Sequence, residues 1–174
     1  MIRGLIEVGG VLKYDFQSSI GYWICMTSHL YDRALNLELT PQGVTRCQCQ
    51  ILGWLALEGE LSQVELANRM NVEPPTLVPV LDRMERDGLL AREACASDRR
   101  RNIVTAKPKA QIVWKKIVAS SERVRAKAVA GLTPEQTATL KELLQMVQEN
   151  LNPQAAGQEP APAMPRVSRK GSRI

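Results

Sequence analysis

The sequence predicts a mainly α chain with one small β-hairpin, in which a helix-turn-helix runs into the hairpin and long amphipathic helices flank the pair. Three observations carry this. Apolar residues recur at spacings of three and four over residues 17–39, 44–57, 112–128 and 134–151, the period of a helix with one buried face. Ser62 with Glu65, then Pro74-Pro75, then Gly88 mark a helix start, a second start and a stop. Two short runs of strand character, residues 89–93 and 102–105, enclose the polar stretch 95–101.

In chain order, the first helix carries Ile20, Trp23, Ile24, Thr27, Leu30, Tyr31, Ala34, Leu35 and Leu37 on a broad apolar face. Thr40-Pro41 breaks it, because proline disfavours helical backbone at the preceding residue. A second helix over 44–57 places Val44, Cys47, Ile51, Leu52 and Leu55 together and ends at Gly59. Glu60-Leu61 is a short extended piece, and Ser62 with Glu65 then caps a helix over 63–70. After the tight connection Asn71-Val72-Glu73, a further helix starts at Pro74 or Pro75 and runs to about Asp87. The hairpin follows. Beyond Lys107-Pro108, a helix carries Ile112, Val113, Ile117, Val118, Ser121, Val124 and Ala128 on one side and stops at Gly131. Thr133-Pro134-Glu135-Gln136 opens the last helix, which bears Leu140, Leu143, Leu144, Val147 and Leu151. Residues 152–174 hold four of the ten prolines and the basic residues Arg166, Arg169, Lys170 and Arg173, the composition of a disordered basic tail.

The 174 residues include 23 Lys and Arg against 18 Asp and Glu, a net charge of +5. Its location matters more than its sum. The tail contributes +3 (four basic residues against Glu159) and residues 98–109 contribute +4 (five against Asp98), which leaves the remainder at −2. A polyanionic partner is expected at those two places. No apolar run is long enough to span a bilayer, and the N-terminus lacks a signal-peptide pattern, so a cytoplasmic protein with no membrane partner is expected. Four unevenly placed cysteines without a Cys-x-x-Cys pair are read as reduced thiols, with no metal site. No Ser, His and Asp set, phosphate loop or carboxylate pair points to catalysis, and no cofactor is called for.

The central segment points to nucleic acid. Leu61, Leu66, Ala67, Met70, Leu77, Leu81 and Met84 have the spacing of a core shared by the two short helices, which turns Thr76, Val78, Pro79, Asp82, Arg83 and Arg86 outward. In a helix-turn-helix the second helix enters the major groove of double-stranded DNA. Thr76 is suited to a base edge or phosphate, its methyl or Val78 to a thymine methyl, and Arg83 and Arg86 to phosphates. In the hairpin loop Ser97-Asp98-Arg99-Arg100-Arg101, three consecutive arginines repel one another unless they meet phosphate or a narrow minor groove, and Asp98 can pin Arg100. A solvated charged turn is the alternative for an isolated triplet. Its place after a helix-turn-helix favours a wing.

The stretches Leu61-Ser62-Gln63-Val64-Glu65-Leu66-Ala67, Glu73-Pro74-Pro75-Thr76-Leu77-Val78, Leu81-Asp82-Arg83-Met84-Glu85-Arg86-Asp87-Gly88-Leu89 and Cys95-Ala96-Ser97-Asp98-Arg99-Arg100 resemble the winged helix-turn-helix of the MarR family, close to its SlyA-like members. The resemblance spans residues 39–105 and extends more weakly over 17–151. It implies a regulator, more often a repressor, that binds a palindromic operator as a homodimer. Carried onto this chain, Thr76 and Val78 lie on the recognition helix, and Asp98 and Arg100 form a wing pair directed at the minor groove. Pro79 departs from the pattern: SlyA-like proteins place a DNA-directed arginine there, so base reading by this helix should be thinner. The implied division is an N-terminal segment and dimerisation helix (1–39), the DNA-binding domain (40–106), C-terminal dimerisation helices (107–151) and the tail (152–174). Wide apolar faces on the first and last two helices fit the same dimer, an intrachain bundle being the alternative.

The resemblance also implies a small aromatic-acid effector, for which Trp23, His29, Tyr31, Arg33 and Trp54 are candidate pocket residues. Core or dimer packing is the competing reading of these aromatics. Cys25 is the candidate for thiol sensing, against the expectation that a cysteine between Ile24 and Met26 is simply buried. Cys47 and Cys49, two residues apart on a helix, point away from each other and do not form a site. Two other readings stay open: a thiol-based redox regulator, and a winged-helix protein-interaction module without specific DNA reading.

Overall fold

Helix ends in the computed structural model, which describes residues 14–95 and 101–151, fall where side chains satisfy the first-turn amides. Helix α1 (Ile20–Leu39) begins at Ser19, whose Oγ accepts from the Tyr22 N–H. Helix α2 (Arg46–Glu58) begins at a reciprocal Thr45/Gln48 capping box that the sequence reading missed. Between them, Thr40 does not leave helical backbone as expected from Pro41. It keeps φ −54 and ψ −48, and its Oγ1 donates to the Asn36 carbonyl at 2.8 Å. Pro41 falls in the first turn of a 3₁₀ segment (Thr40–Gln42), where no N–H is needed, and the chain reverses only at Gly43, with φ +69.

Strand β1 (Leu61–Ser62) leads into helix α3 (Gln63–Met70) through the expected Ser62/Glu65 box. Asn71, left-handed at φ 52, ends α3, and helix α4 (Pro74–Arg86) follows. Gly88, with φ +71, reverses the chain, and the Leu89 N–H closes back on the Met84 carbonyl at 2.9 Å. Strands β2 (Leu90–Ala94) and β3 (Asn102–Ala106) form the expected hairpin, but the sheet has three strands in the order β1-β3-β2, all antiparallel. Leu61 pairs with Val104 and Ser62 with Ile103, so the extended piece before α3 is part of the sheet.

The core joins α2, α3, α4, the sheet and helix α5 (Ala110–Ala128). Leu66, Leu77, Leu81 and Met84 are fully buried as predicted, and Met70 is half-buried. On α5 the buried serine is Ser120, not the Ser121 of the apolar stripe. Its Oγ donates to the Glu38 carbonyl, and the Glu38 carboxylate takes Arg123 and Lys127, each at 2.7 Å. These bonds tie the C-terminal end of α1 to α5. Most of the rest of α1 is exposed, and of its side chains Ala34, Leu35 and Leu39 meet the core. In the last helix, α6 (Pro134–Leu151), no residue is buried.

One cluster fixes the hairpin to α4. The Arg92 guanidinium on β2 meets Asp82 and Glu85 of α4, each at 2.6 Å, and the Arg92 N–H donates to Glu85 Oε1 at 3.0 Å. The Arg92 side-chain hydrogen bond holds the Glu85 carboxyl below its ordinary value of 4.5.

Two outcomes are expected. Ser62→Ala removes a cap whose Oγ accepts from the Glu65 N–H and from Arg101, and should lower stability by about 1 kcal/mol in a denaturant titration. Arg92→Leu should cost about 1 kcal/mol at neutral pH. Because the Glu85 carboxyl is depressed in the folded state, the clamp's contribution is present in full above 4.5 and lost as pH falls through the lowered value. The gap between wild type and Arg92→Leu should therefore narrow on acidification below 4.5, and a gap that widens would remove the clamp from the account.

Candidate nucleic-acid interface

With about 100° per residue, a helix that buries Leu77, Leu81 and Met84 turns Pro75, Pro79, Asp82 and Arg86 to the centre of its opposite face. Thr76 and Val78 flank that line in the first half of α4, and Val78 is 42% exposed despite its apolar side chain. Arg83 and Arg86 are exposed in the second half and make no ion pair with the described residues. They border an open groove of about 560 Å³ between α4 and β2, lined also by Pro79, Asp82, Glu85 and Arg92. The site therefore has an apolar first half and a charged second half, in which Asp82 and Glu85 are paired with Arg92 and Arg83 and Arg86 have no ion pair among the described residues.

Prolines decide the first half. Pro74 and Pro75 have no N–H, and the Thr76 N–H is already given to the Glu73 carbonyl at 2.9 Å. The usual anion site at a helix N-terminus needs free amides there, and α4 offers none in those three positions. Pro79 lies inside the helix as the sequence suggested, so the Pro75 carbonyl also lacks its i+4 donor.

Of the wing residues, Ser97, Asp98, Arg99 and Arg100 lie outside the described residues. Arg101 is described and turns back onto the start of α3 while staying exposed: its Nη2 is 3.1 Å from Glu65 Oε1 and 3.3 Å from Ser62 Oγ. The Ser62 side chain and amide, with Arg101 behind them, hold the Glu65 carboxyl below its ordinary value. Arg101 thus braces the end of β3 against α3, a part of its charge already matched.

The structure does not gather the effector candidates. Trp23 is exposed and donates its indole N–H to the Gln17 carbonyl at 2.9 Å. His29 and Arg33 lie one turn apart on α1, and the helix turns His29 and Tyr31 to nearly opposite sides. Trp54 packs on the core from α2 with the Arg69 guanidinium 6.0 Å above its ring, and Arg69 is held by Glu58. Cys25 corrects an expectation: it is exposed, because this stretch of α1 projects past the core. Cys47 and Cys49 are half-buried, and burial pushes both thiols up, away from reactivity.

Sequence reading missed the Asp82, Glu85 and Arg92 clamp. Two acidic residues three apart on a helix are an ordinary solvated pattern, and nothing in the period of either element shows that a strand arginine will dock between them.

A sequence profile described as "MarR family" matches residues 44–101. Among solved structures, the transcriptional regulator PA3341 is 30% identical, with 78% of this chain and 99% of that chain covered and a TM-score of 0.68. Wild-type apo MarR from E. coli is 27% identical over 74% of this chain and 96% of that one, with a TM-score of 0.67. Bordetella bronchiseptica BpsR, whose DNA binding is regulated by 6-hydroxynicotinic acid, shares the fold at 21% identity, 79% and 99% coverage and a TM-score of 0.66. With the profile lying across the helix-turn-helix and near-complete coverage of such regulators, the chain belongs to the MarR family, winged-helix transcriptional regulators that bind DNA and are not enzymes.

Proposed function

We propose that this regulator is a ligand-responsive repressor that acts in the cytoplasm and binds a palindromic operator as a homodimer. The observation that carries DNA reading is the exposed outward face of α4, with Thr76 and Val78 toward base edges and Arg83 and Arg86 toward phosphates. Asp98 and Arg100, with Ser97, Arg99 and Arg101 beside them, supply the minor-groove and phosphate contacts of the wing. In this division, residues 40–106 read DNA, 1–39 and 107–151 dimerise, and the basic tail from 152 adds non-specific affinity.

Dimerisation is supported by faces that the single chain leaves bare. Leu30 on α1 is 58% exposed, and Leu140, Leu143 and Leu144 on α6 are exposed at helical spacing. A second copy would cover them and set two recognition helices roughly 34–36 Å apart, one helical turn of DNA. The effector is proposed to be a small aromatic acid, in line with the regulation of BpsR, and Trp23, His29, Tyr31, Arg33 and Trp54 would reach it only in a pocket completed by the dimer. Exposed Cys25 favours a second reading, thiol sensing, which fails if peroxide alters neither DNA affinity nor the mass at that residue.

Genome-wide mapping of bound DNA, followed by titration of the recovered site with and without aromatic acids, tests the reading as a whole. Arg100→Ala should weaken operator binding at least about tenfold at fixed salt while the dimer stays folded, since a good groove contact is worth about 1–3 kcal/mol. Unchanged affinity would sink the wing assignment. The pair Leu143→Glu and Leu144→Glu should halve the mass seen by light scattering and abolish operator binding. A wild-type chain that is already monomeric would overturn the dimer.

A further inference from the structure

The first half of α4 faces outward with almost nothing that can hydrogen-bond. Pro75 and Pro79 occupy the centre of that face, Val78 stands beside them 42% exposed, and Thr76 is the one polar side chain among the four. The first two helical positions have no amide hydrogen and the third is spent on Glu73. Arg83 and Arg86 follow Pro79 by four and seven residues, about 6 and 10 Å further along the axis, so Arg83 comes within one turn of Pro79 but neither guanidinium-bearing residue lies within a turn of Pro75 or Thr76.

Guanine and adenine edges are read by bidentate side chains such as Arg, Asn and Gln, and this stretch has none. Covering a polar base edge with proline and valine would strip its water and return no hydrogen bond, which is unfavourable. The major groove of unmodified DNA contains one apolar group, the 5-methyl of thymine. Resting on the proposed function, we infer that α4 reads its half-site chiefly through thymine methyl groups, with Pro75, Val78 and Pro79 forming a rigid apolar prow against the methylated edge of T·A pairs. Rigidity follows from chemistry: a proline ring has no rotamers to lose, and valine on a helix keeps essentially one χ1 well. Edges without the methyl are rejected by desolvation and not by a clash.

The test uses the full-length chain. A binding site is selected from random duplex, and each thymine in it is replaced singly by uracil, which removes the methyl and keeps the pairing. At one or more positions of each half-site, uracil should weaken binding about fourfold, the transfer value of one buried carbon group. The same replacement should have no effect at the matching position in Val78→Ala or Pro79→Ala, both exposed sites at which circular dichroism should show the wild-type fold. Uracil that leaves affinity unchanged at every position overturns this inference alone. Loss of equal size in the wild type and both variants also overturns it, because the methyl would then act through DNA shape. Failure to enrich any sequence overturns the proposed function and this inference together.

Discussion

Burial of Leu77, Leu81 and Met84 is the constraint on which the interface depends. Helix α4 has three prolines, and Pro79 in its interior costs about 3 kcal/mol relative to a good helix former. Burying three large apolar side chains contributes about 1.5–3 kcal/mol each, so packing outweighs the broken backbone bond. Once that face is fixed on α3 and the sheet, the opposite face is fixed too. What remains outward is the line of Pro75, Pro79, Asp82 and Arg86, with Thr76 and Val78 beside it.

Two arginines extend this rigidity into the hairpin. Arg92 ties β2 to Asp82 and Glu85 on α4, and Arg101 ties the end of β3 to Ser62 and Glu65 at the start of α3. The hairpin is thus held at both strands by the two helices of the helix-turn-helix. Of the arginine triplet, Arg101 has structural partners in Ser62 and Glu65.

The flanking helices follow a different logic. Polar bonds tie the base of α1 to α5, where Glu38 receives Arg123 and Lys127 and Ser120 bonds the α1 backbone, and Lys116 of α5 bonds the Gln42 carbonyl. Both helices meet the DNA-binding lobe through the shared apolar core, with Leu35, Leu39, Ala110, Ile117 and Val124 buried there. Away from that base, α1 and α6 carry apolar side chains that stay exposed among the described residues.

Local rules in the sequence determined the helices, their caps and the core. Ser62 with Glu65, Gly88 as the stop of α4, and the buried set Leu66, Leu77, Leu81 and Met84 all follow from spacing and capping chemistry. Sequence also named Thr76, Val78, Arg83 and Arg86 as outward, since burial of one helix face fixes the other. Tertiary structure alone decided the rest. Pairing of Leu61 with Val104, docking of Arg92 between Asp82 and Glu85, the turn of Arg101 back onto α3, the burial of Ser120 and the exposure of Cys25 each depend on what another element, distant in the chain, brings alongside. A helical or strand period records which way a residue points, and it carries no information on what meets it there.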